Sequence, residues 1–415
     1  MKQDKTIDHL FRHQFGKMVS ILTRIFGLSN LETIEDAVQD TFIKASIAWR
    51  DEMPENPEAW LTKVAKNRTL DLFKSIKAEK NRAQFSFNGP SSIAVSELFL
   101  DNEIEDAQLR MIFTACHETL DPRDQISFAL KTISGFSNKE IASALLLKEE
   151  TVKKRLHRAR KSIKDNKVKF EIPVGKELNL RLDRVLEVIY LIFNEGFHSG
   201  NPELLVRMDL CGEALRLCKL LIGRTETKTS KSLALFALIC FHSARLDSKT
   251  NDLQEAIAIK DQDRSKWLFP LIVMGNRAMN LAVEGGEFSV YHFEAAIVCE
   301  HLKAKRFEDT NWKAILGFYK QLQQLDPSPI HQLNIVVVLL QLKETAAAKK
   351  QLQTISPKDL ERREYLYHGC LAEILAEKGQ MDDAIAACTI AIELANNKTE
   401  KSFLQKRRAI LMDQL

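Results

Sequence analysis

The chain has 415 residues, of which 45% are hydrophobic and 28% charged, with a net charge of +4. This length exceeds one ordinary core, so two or three domains are expected, and a near-neutral total restricts any nucleic-acid site to a local cluster of basic residues. With only 15 Gly and 10 Pro, the many strong helix formers predict an all-α protein. The start lacks a signal-peptide pattern and no apolar run is long enough to span a membrane, so we expect a cytoplasmic protein without membrane association.

Apolar residues at helical spacing predict three helices in the first part of the chain, over residues 7–28, 31–49 and 58–77. The loop 50–57 between the last two contains two prolines, which cannot both lie inside a helix. We therefore assign residues 1–80 to a first helical domain. The segment "FNGPSS" interrupts the helical pattern, and residues 81–104 are predicted to form a linker.

A second small domain is predicted over residues 105–167, with four helices at about 105–118, 122–133, 137–144 and 149–163. Gly135 ends one helix, and Ser137 with Glu140 forms a capping box for the next. Two helices joined by a short turn, the second of them basic, are typical of a helix-turn-helix unit.

The second of these helices contains the most basic stretch of the chain, "EETVKKRLHRARKSIK" (149–164). Its apolar residues recur at spacings of four, three and four and are predicted to dock the helix on its neighbours: Val152, Leu156, Ala159 and Ile163. Lys and Arg fill the remaining faces, as is typical of a helix that enters the major groove of DNA. The alternative is an ordinary solvated surface helix, and the preceding helix and turn favour the DNA-binding interpretation.

Residues 168–415 are predicted to form a large α-helical domain. The segment 365–397, with a turn at Lys378-Gly379, resembles one tetratricopeptide unit, and 325–355 is a weaker second copy. The rest shows no clean period, so we predict a tetratricopeptide-like rather than a regular repeat domain.

No pattern in the chain points to an active site, a metal site or a cofactor. The seven cysteines contain no CxxC pair and are expected to be reduced. The segment "NEGFHSG" (194–200) brings Asn, Glu and His close together but adds no nucleophile with a base. We interpret it as a structural loop, with an effector or partner site as the alternative, and we predict that the protein is not an enzyme.

Three segments, in order, resemble the extracytoplasmic-function sigma factors of bacterial RNA polymerase, which are members of the sigma-70 family. "IEDAVQDTFIKASIAW" (34–49) is similar to the region 2 helix that grips the polymerase clamp. "NPEAWLTKVAKNRTLDLFKS" (56–75) is similar to the segment that holds the promoter −10 element, and "FSNKEIASALLLKEETVKKRLHRARKSI" (136–163) resembles region 4, which reads the −35 element. The rest resembles the subgroup with a tetratricopeptide-like C-terminal extension, on "RLDRVLEVIYLIFNEGFHSG" (181–200) and "MDLCGEALRLCKLL" (208–221).

The resemblance implies a site for each partner. Residues expected to face core RNA polymerase are Glu35, Asp36, Gln39 and Asp40. Residues expected to hold −10 DNA are Trp60, Lys63, Lys66, Asn67, Arg68 and Lys74. Residues expected to hold −35 DNA are Thr151, Lys153, Lys154, Arg155, His157, Arg158 and Lys161. For Trp60, its apolar spacing favours core packing over base stacking.

The resemblance therefore predicts two sigma domains, one binding polymerase and −10 DNA and the other −35 DNA, followed by a helical domain. That domain is expected to regulate sigma activity by packing on the sigma domains, or to bind a protein partner. The alternative is a stand-alone helix-turn-helix regulator with a tetratricopeptide-like effector domain, which would leave the patterns in residues 34–77 unexplained.

Overall fold

The structure is a computed structural model that describes residues 2–50, 52–80, 101–145, 147–198, 206–251, 257–395 and 398–413. Within these ranges the regular elements are α-helices and short 3-10 helices without an extended strand, which confirms the all-α prediction. No helix in the described parts is both long and apolar enough to cross a membrane. Contacts divide the chain into two compact units, Met1–Glu195 and Gly196–Leu415.

The first unit contains both predicted small domains. Its described helices are α1 Lys2–Phe26, α2 Leu31–Ala48, α3 Pro57–Lys80, α4 Asp101–Ala115, α5 Pro122–Thr132, α6 Asn138–Ala144, α7 Glu149–Asp165 and α8 Lys176–Phe197, the last of which crosses into the second unit. Most of the predicted linker lies outside the described residues, while its last four residues, 101–104, are helical and open α4.

Local sequence signals fix where the short helices begin. The Asp121 carboxylate accepts a hydrogen bond from the Arg123 amide at 2.8 Å and caps α5, with proline at the first helical position. Ser137 and Glu140 form the predicted capping box of α6, with amide-to-oxygen distances of 2.8 and 3.2 Å. Gly135 adopts a φ of +71°, a conformation that other residues rarely adopt, and this lets the chain turn between α5 and α6.

Helix α1 joins the two predicted small domains into one body, because it packs against α2 and α3 on one side and against α4 and α5 on the other. A Cβ atom at Gly16 of α1 would collide with the carbonyl oxygen of Ile133, and one at Gly135 would lie 2.9 Å from Phe15. Arg24 of α1 also pairs with Glu103 of α4. The two small domains therefore meet in a close backbone contact that tolerates only glycine at these positions.

Helix α8 packs on the same body. The Arg181 guanidinium donates to the carbonyl oxygen of Phe113 at 2.9 Å, and Arg181 is only 8% exposed. Leu182 and Val185 on the same helix are fully buried. The sequence placed the start of the C-terminal domain at residue 168, and that boundary stays a prediction. The contacts show that α8 is part of the packing of the first unit, at least as far as Glu195.

The second unit is a succession of helices in which neighbours along the chain pack together. Its described helices are α9 Met208–Ile222, α10 Ser230–Ser243, α11 Phe269–Val283, α12 Val290–Lys303, α13 Trp312–Leu325, α14 Pro329–Gln341, α15 Thr345–Leu352, α16 Glu364–Glu377, α17 Met381–Leu394 and α18 Lys398–Met412.

The pair α16 and α17 has the form that the sequence predicted for 365–397. Gly379 in the turn between them has a φ of +72°, which explains the need for glycine there. The small side chains Ala384, Cys388 and Ala391 are buried and let the helices approach closely. This geometry is compatible with a tetratricopeptide unit, whose assignment stays a prediction.

Candidate polymerase and promoter interface

Helix α7 presents a basic outer face. Its predicted apolar stripe is buried against α5 and α6, at Val152, Leu156, Ala159 and Ile163. Most side chains that the sequence assigned to −35 DNA are exposed, namely Lys153, Lys154, His157, Arg158 and Lys161. Thr151 and Arg155 are half-buried. The helix is thus held by one face and offers its cationic face to solvent, as a DNA-reading helix requires.

Three of these basic side chains already have protein partners. Arg158 makes a two-pronged ion pair with Asp124 of α5, at 2.6 and 2.9 Å, and Asp124 is buried. Arg155 donates to the carbonyl oxygen of Arg123 at 3.2 Å. Lys153 lies 3.4 Å from Glu149, one turn earlier on its own helix. Lys154, His157 and Lys161 are exposed and have no such partner in the described residues, so these three side chains are available to a phosphate.

Substitutions at Lys154 and Arg158 can separate DNA binding from stabilisation of the fold. Lys154→Ala and Arg158→Ala are both expected to weaken binding of −35 duplex DNA, and Lys154→Ala is expected to reduce the salt slope by about one. Arg158→Ala also leaves buried Asp124 without its partner, which costs about 1–3 kcal/mol of unfolding free energy. Lys154→Ala should change that free energy by less than about 0.5 kcal/mol. Denaturant unfolding measures the stability of each variant, and salt-dependent duplex titration measures its DNA affinity and salt slope. Equal stability of the two variants would contradict a structural role for Arg158.

The acidic residues of α2 fall into two groups. Asp36 and Gln39 are exposed and Asp40 is half-buried, and the three line a concavity of about 450 Å³ with Thr33, Ile43 and Leu72. Burial and the neighbouring acids Glu32 and Asp40 raise the pKa of Asp36. A cationic partner would stabilise the charged form of Asp36, so this part of α2 suits a basic protein surface.

Two apolar side chains beside these acids escaped the sequence analysis. Ile43 and Ile47 of α2 are 55% and 66% exposed, one and two turns beyond Gln39 and Asp40. Exposed large apolar side chains next to charged ones are typical of protein interfaces. Their spacing of four residues was visible in the sequence, but the core pattern of α2 runs through other positions, and only the fold shows that this stripe is uncovered.

Glu35 lies one turn before Gln39 on α2, but it does not line this concavity. It is buried, and its carboxylate pairs with Arg160 of α7 at 2.5 Å. Burial raises the pKa of Glu35, and the coulombic attraction of Arg160 only partly opposes it. Sequence reasoning grouped Glu35 with the polymerase-facing residues, whereas here it faces the recognition helix. The helical pattern could not reveal this, because the contact spans 125 residues.

The residues assigned to −10 DNA all lie along α3. Trp60 is half-buried and packs edge-on against buried Trp49, with ring centroids 5.2 Å apart, which favours the packing interpretation. Lys63 and Asn67 are exposed and Lys66 is half-buried, while the side chain of Lys74 lies outside the described residues.

Arg68 connects the −10 group to the polymerase group. Its guanidinium donates to the Asp40 carboxylate at 2.9 and 3.2 Å. Both side chains keep over a third of their surface exposed, so the pair is weak and either partner is available to a stronger one. Helices α2 and α3 thus bring the two predicted sets of residues side by side.

Family comparisons give the same division of the first unit. Residues 10–79 match the model for sigma-70 region 2, and residues 110–163 match that for sigma-70, region 4. The chain is 25% identical over 158 residues to the ECF RNA polymerase sigma factor SigE of Mycolicibacterium smegmatis, covering 38% of this chain and 60% of that protein. It is 26% identical over 154 residues to the ferric citrate uptake sigma factor FecI of Escherichia coli, covering 37% and 86%. The chain belongs to the extracytoplasmic-function sigma factors.

This sigma factor carries a C-terminal extension beyond the two sigma regions. Residues 181–283 match a family of unknown function (DUF6596). An uncharacterized protein of Rhizobium meliloti is 31% identical over 382 residues, covering 91% of this chain and 89% of its own length. Sigma module and extension therefore occur together in at least one other protein. No solved structure matches the chain.

Proposed function

We propose that this sigma factor binds core RNA polymerase through the exposed acidic and apolar stripe of α2 and reads promoters with α3 and α7. The observation that carries the proposal is that the region 2 and region 4 segments each present the kind of surface that its expected partner requires. One is acidic and apolar, as a protein contact requires; the other is a docked basic helix, as a DNA contact requires. No catalytic chemistry is needed for this role.

Reading both promoter elements requires the closed first unit to open. The −10 and −35 elements are about 25 base pairs apart, which is about 85 Å along a duplex. In the structure, α2 and α7 are joined by the Glu35–Arg160 pair, and α1 packs on α4. The twenty residues 81–100 reach at most about 70 Å when extended, which allows the two domains to separate. We propose that polymerase binding drives this separation.

Binding to polymerase is tested by size-exclusion chromatography of the full chain with bacterial core RNA polymerase. Co-elution is expected for the wild type and lost for an Asp36→Lys, Asp40→Lys variant. Tight binding to duplex DNA with no polymerase binding by either the full chain or residues 1–198 would instead support a stand-alone helix-turn-helix regulator.

We propose further that the C-terminal unit regulates the sigma module, either in cis or through a protein partner. Support comes from the fusion of a large helical unit to a complete sigma module in this chain and in the Rhizobium meliloti protein. Helical-repeat scaffolds are commonly binding surfaces, and we place this protein in the cytoplasm with its polymerase.

Deleting the C-terminal unit is expected to change promoter-dependent transcription by at least about fivefold, since a coupling free energy of 1–3 kcal/mol is typical of regulation. The truncated chain should end at His198 rather than near residue 170, because α8 packs on the first unit through Arg181 and Phe113. The measurement compares transcripts from residues 1–198 with those from the full chain, in vitro and in cells. Equal transcript yields in both settings would overturn the regulatory proposal.

A further inference from the structure

Basic side chains converge on one aromatic ring in the second unit. The Lys249 ammonium lies 3.4 Å from the centroid of the Phe197 ring and donates to the Phe197 carbonyl oxygen. The Arg245 guanidinium carbon lies 5.4 Å from the same centroid. The rings of His242 and His198 lie 4.4 and 4.8 Å from it. Four groups that carry or accept a proton thus surround Phe197, the last residue of α8.

Neither Arg245 nor Lys249 has an acidic partner in the described parts of the chain. Arg245 Nε is buried and makes no hydrogen bond, and the nearest partner of its Nη2 atom is His242 Nδ1, at 3.4 Å. Burial and the adjacent Arg245 lower the pKa of Lys249 to about 7. Burial and neighbouring cations also hold the pKa of His242 well below its usual range. The cluster has several donors and no anion.

An arrangement of this kind costs folding free energy, because a buried cation and an unpaired donor both lose their hydration. Lys249 and His242 relieve part of this cost by losing their protons. Arg245 stays charged even though burial lowers its pKa to about 10. Simple core packing therefore explains the histidine rings but leaves Arg245 with a charge and a buried Nε–H that no described residue satisfies.

The cluster is partly accessible from solution. Arg245, Lys249 and His242 are half-buried, and His198 is exposed. A guanidinium and an ammonium on one wall, with imidazole nitrogens beside them, form the donor set that recognises a tetrahedral oxyanion. The Phe197 ring supplies an apolar wall that limits the competition from water.

We propose that Arg245, Lys249 and His242 bind a small divalent oxyanion, of which a phosphate group is the simplest example. Arg245 donates from Nε and one terminal nitrogen to two oxygen atoms, and Lys249 donates to a third. The bound anion stabilises the ammonium form of Lys249, so binding near neutral pH takes up a proton. The site belongs to the second unit alone, and its existence does not depend on how the sigma module works.

The proposal is tested by calorimetric titration of the full chain with inorganic phosphate and with pyrophosphate. Sodium chloride at equal ionic strength serves as the control for screening. The variants are Lys249→Met and Arg245→Gln, and the matched control is Lys313→Met, which removes an exposed lysine of α13. Saturable binding by the wild type and by the control is expected, with affinity at least about tenfold weaker in both site variants. Titration in two buffers of different ionisation enthalpy should show proton uptake by the wild type.

Two results would overturn the site. One is the absence of saturable binding of either anion to the wild type beyond the chloride control. The other is unchanged affinity in Lys249→Met, with proton uptake like that of the wild type. Lys249→Met removes a costly buried cation and keeps an unbranched apolar side chain, so it is expected to fold even if Arg245→Gln does not. In that case the affinity of Lys249→Met and the proton uptake of the wild type together decide whether the site exists.

Discussion

Reversing the charge of Asp36 and Asp40 together is expected to reduce promoter-specific transcription by at least about 100-fold. Truncating one partner of a charge pair in an interface costs about 2–5 kcal/mol, and reversal adds repulsion. Both residues line the concavity on α2 next to Ile43. Burial and then the acidic neighbours raise the pKa of Asp36, so a cationic partner would stabilise its charged form. The measurement is core-polymerase affinity with transcript yield for the Asp36→Lys, Asp40→Lys variant.

The matched control reverses two exposed acids elsewhere in the first unit, Glu105 and Glu118, and should leave both quantities within about twofold of wild type. Because Asp40 also pairs with Arg68, an Arg68→Ala variant separates loss of that pair from loss of the polymerase contact. If the α2 variant binds polymerase as tightly as the control does, the acidic part of α2 is not the contact surface.

Replacing Arg160 with alanine is expected to favour the open form of the first unit. The change leaves the Glu35 carboxylate buried without its partner in the closed form, whereas in the open form water solvates it. Breaking a buried pair costs about 3–5 kcal/mol. Arg160 keeps 25% of its side chain exposed, so we expect the closed form to be destabilised by about 2–3 kcal/mol. This is equivalent to about a 30- to 150-fold shift in the opening equilibrium. Affinity for core polymerase should rise by up to that factor if binding requires opening.

The measurement is the distance between fluorophores at Lys44 of α2 and Lys139 of α6, both exposed, with and without polymerase. Lys164→Ala, which removes an exposed cation one turn along α7, is the control and should leave the distance unchanged. Burial raises the pKa of Glu35 in the closed form, so protonation favours closure. The fraction of Arg160→Ala in the open form should therefore increase as pH rises above the ordinary pKa range of a carboxyl group. An unchanged distance over this rise in pH would exclude the pair as a restraint on opening.

The local architecture of the first unit could be predicted from the sequence because its signals are local. The Ser137–Glu140 capping box and the spacing of Val152 and Leu156 each depend on residues within two helical turns. The order of the region 2 and region 4 patterns likewise needed no knowledge of packing. For these elements, propensity, capping and hydrophobic period agree with one another.

The pairings between distant residues could not be predicted. Glu35 looks like a surface acid in the pattern of α2, and only the packing of α1 on α4 brings α7 close enough to bury it. Arg158 and Asp124 are 34 residues apart, and no periodicity connects them. The same reason applies to Arg245, whose distance from the Phe197 ring depends on how α8 and the end of α10 are packed.

The most direct test of the central claim is transcription by core polymerase with and without the full chain, on a panel of promoter fragments with mapped start sites. We expect transcripts that begin at defined positions only when the chain is present and that disappear with the Asp36→Lys, Asp40→Lys variant. This expectation would be contradicted if neither the full chain nor residues 1–198 produced start-site-specific transcripts while the chain alone bound duplex DNA tightly.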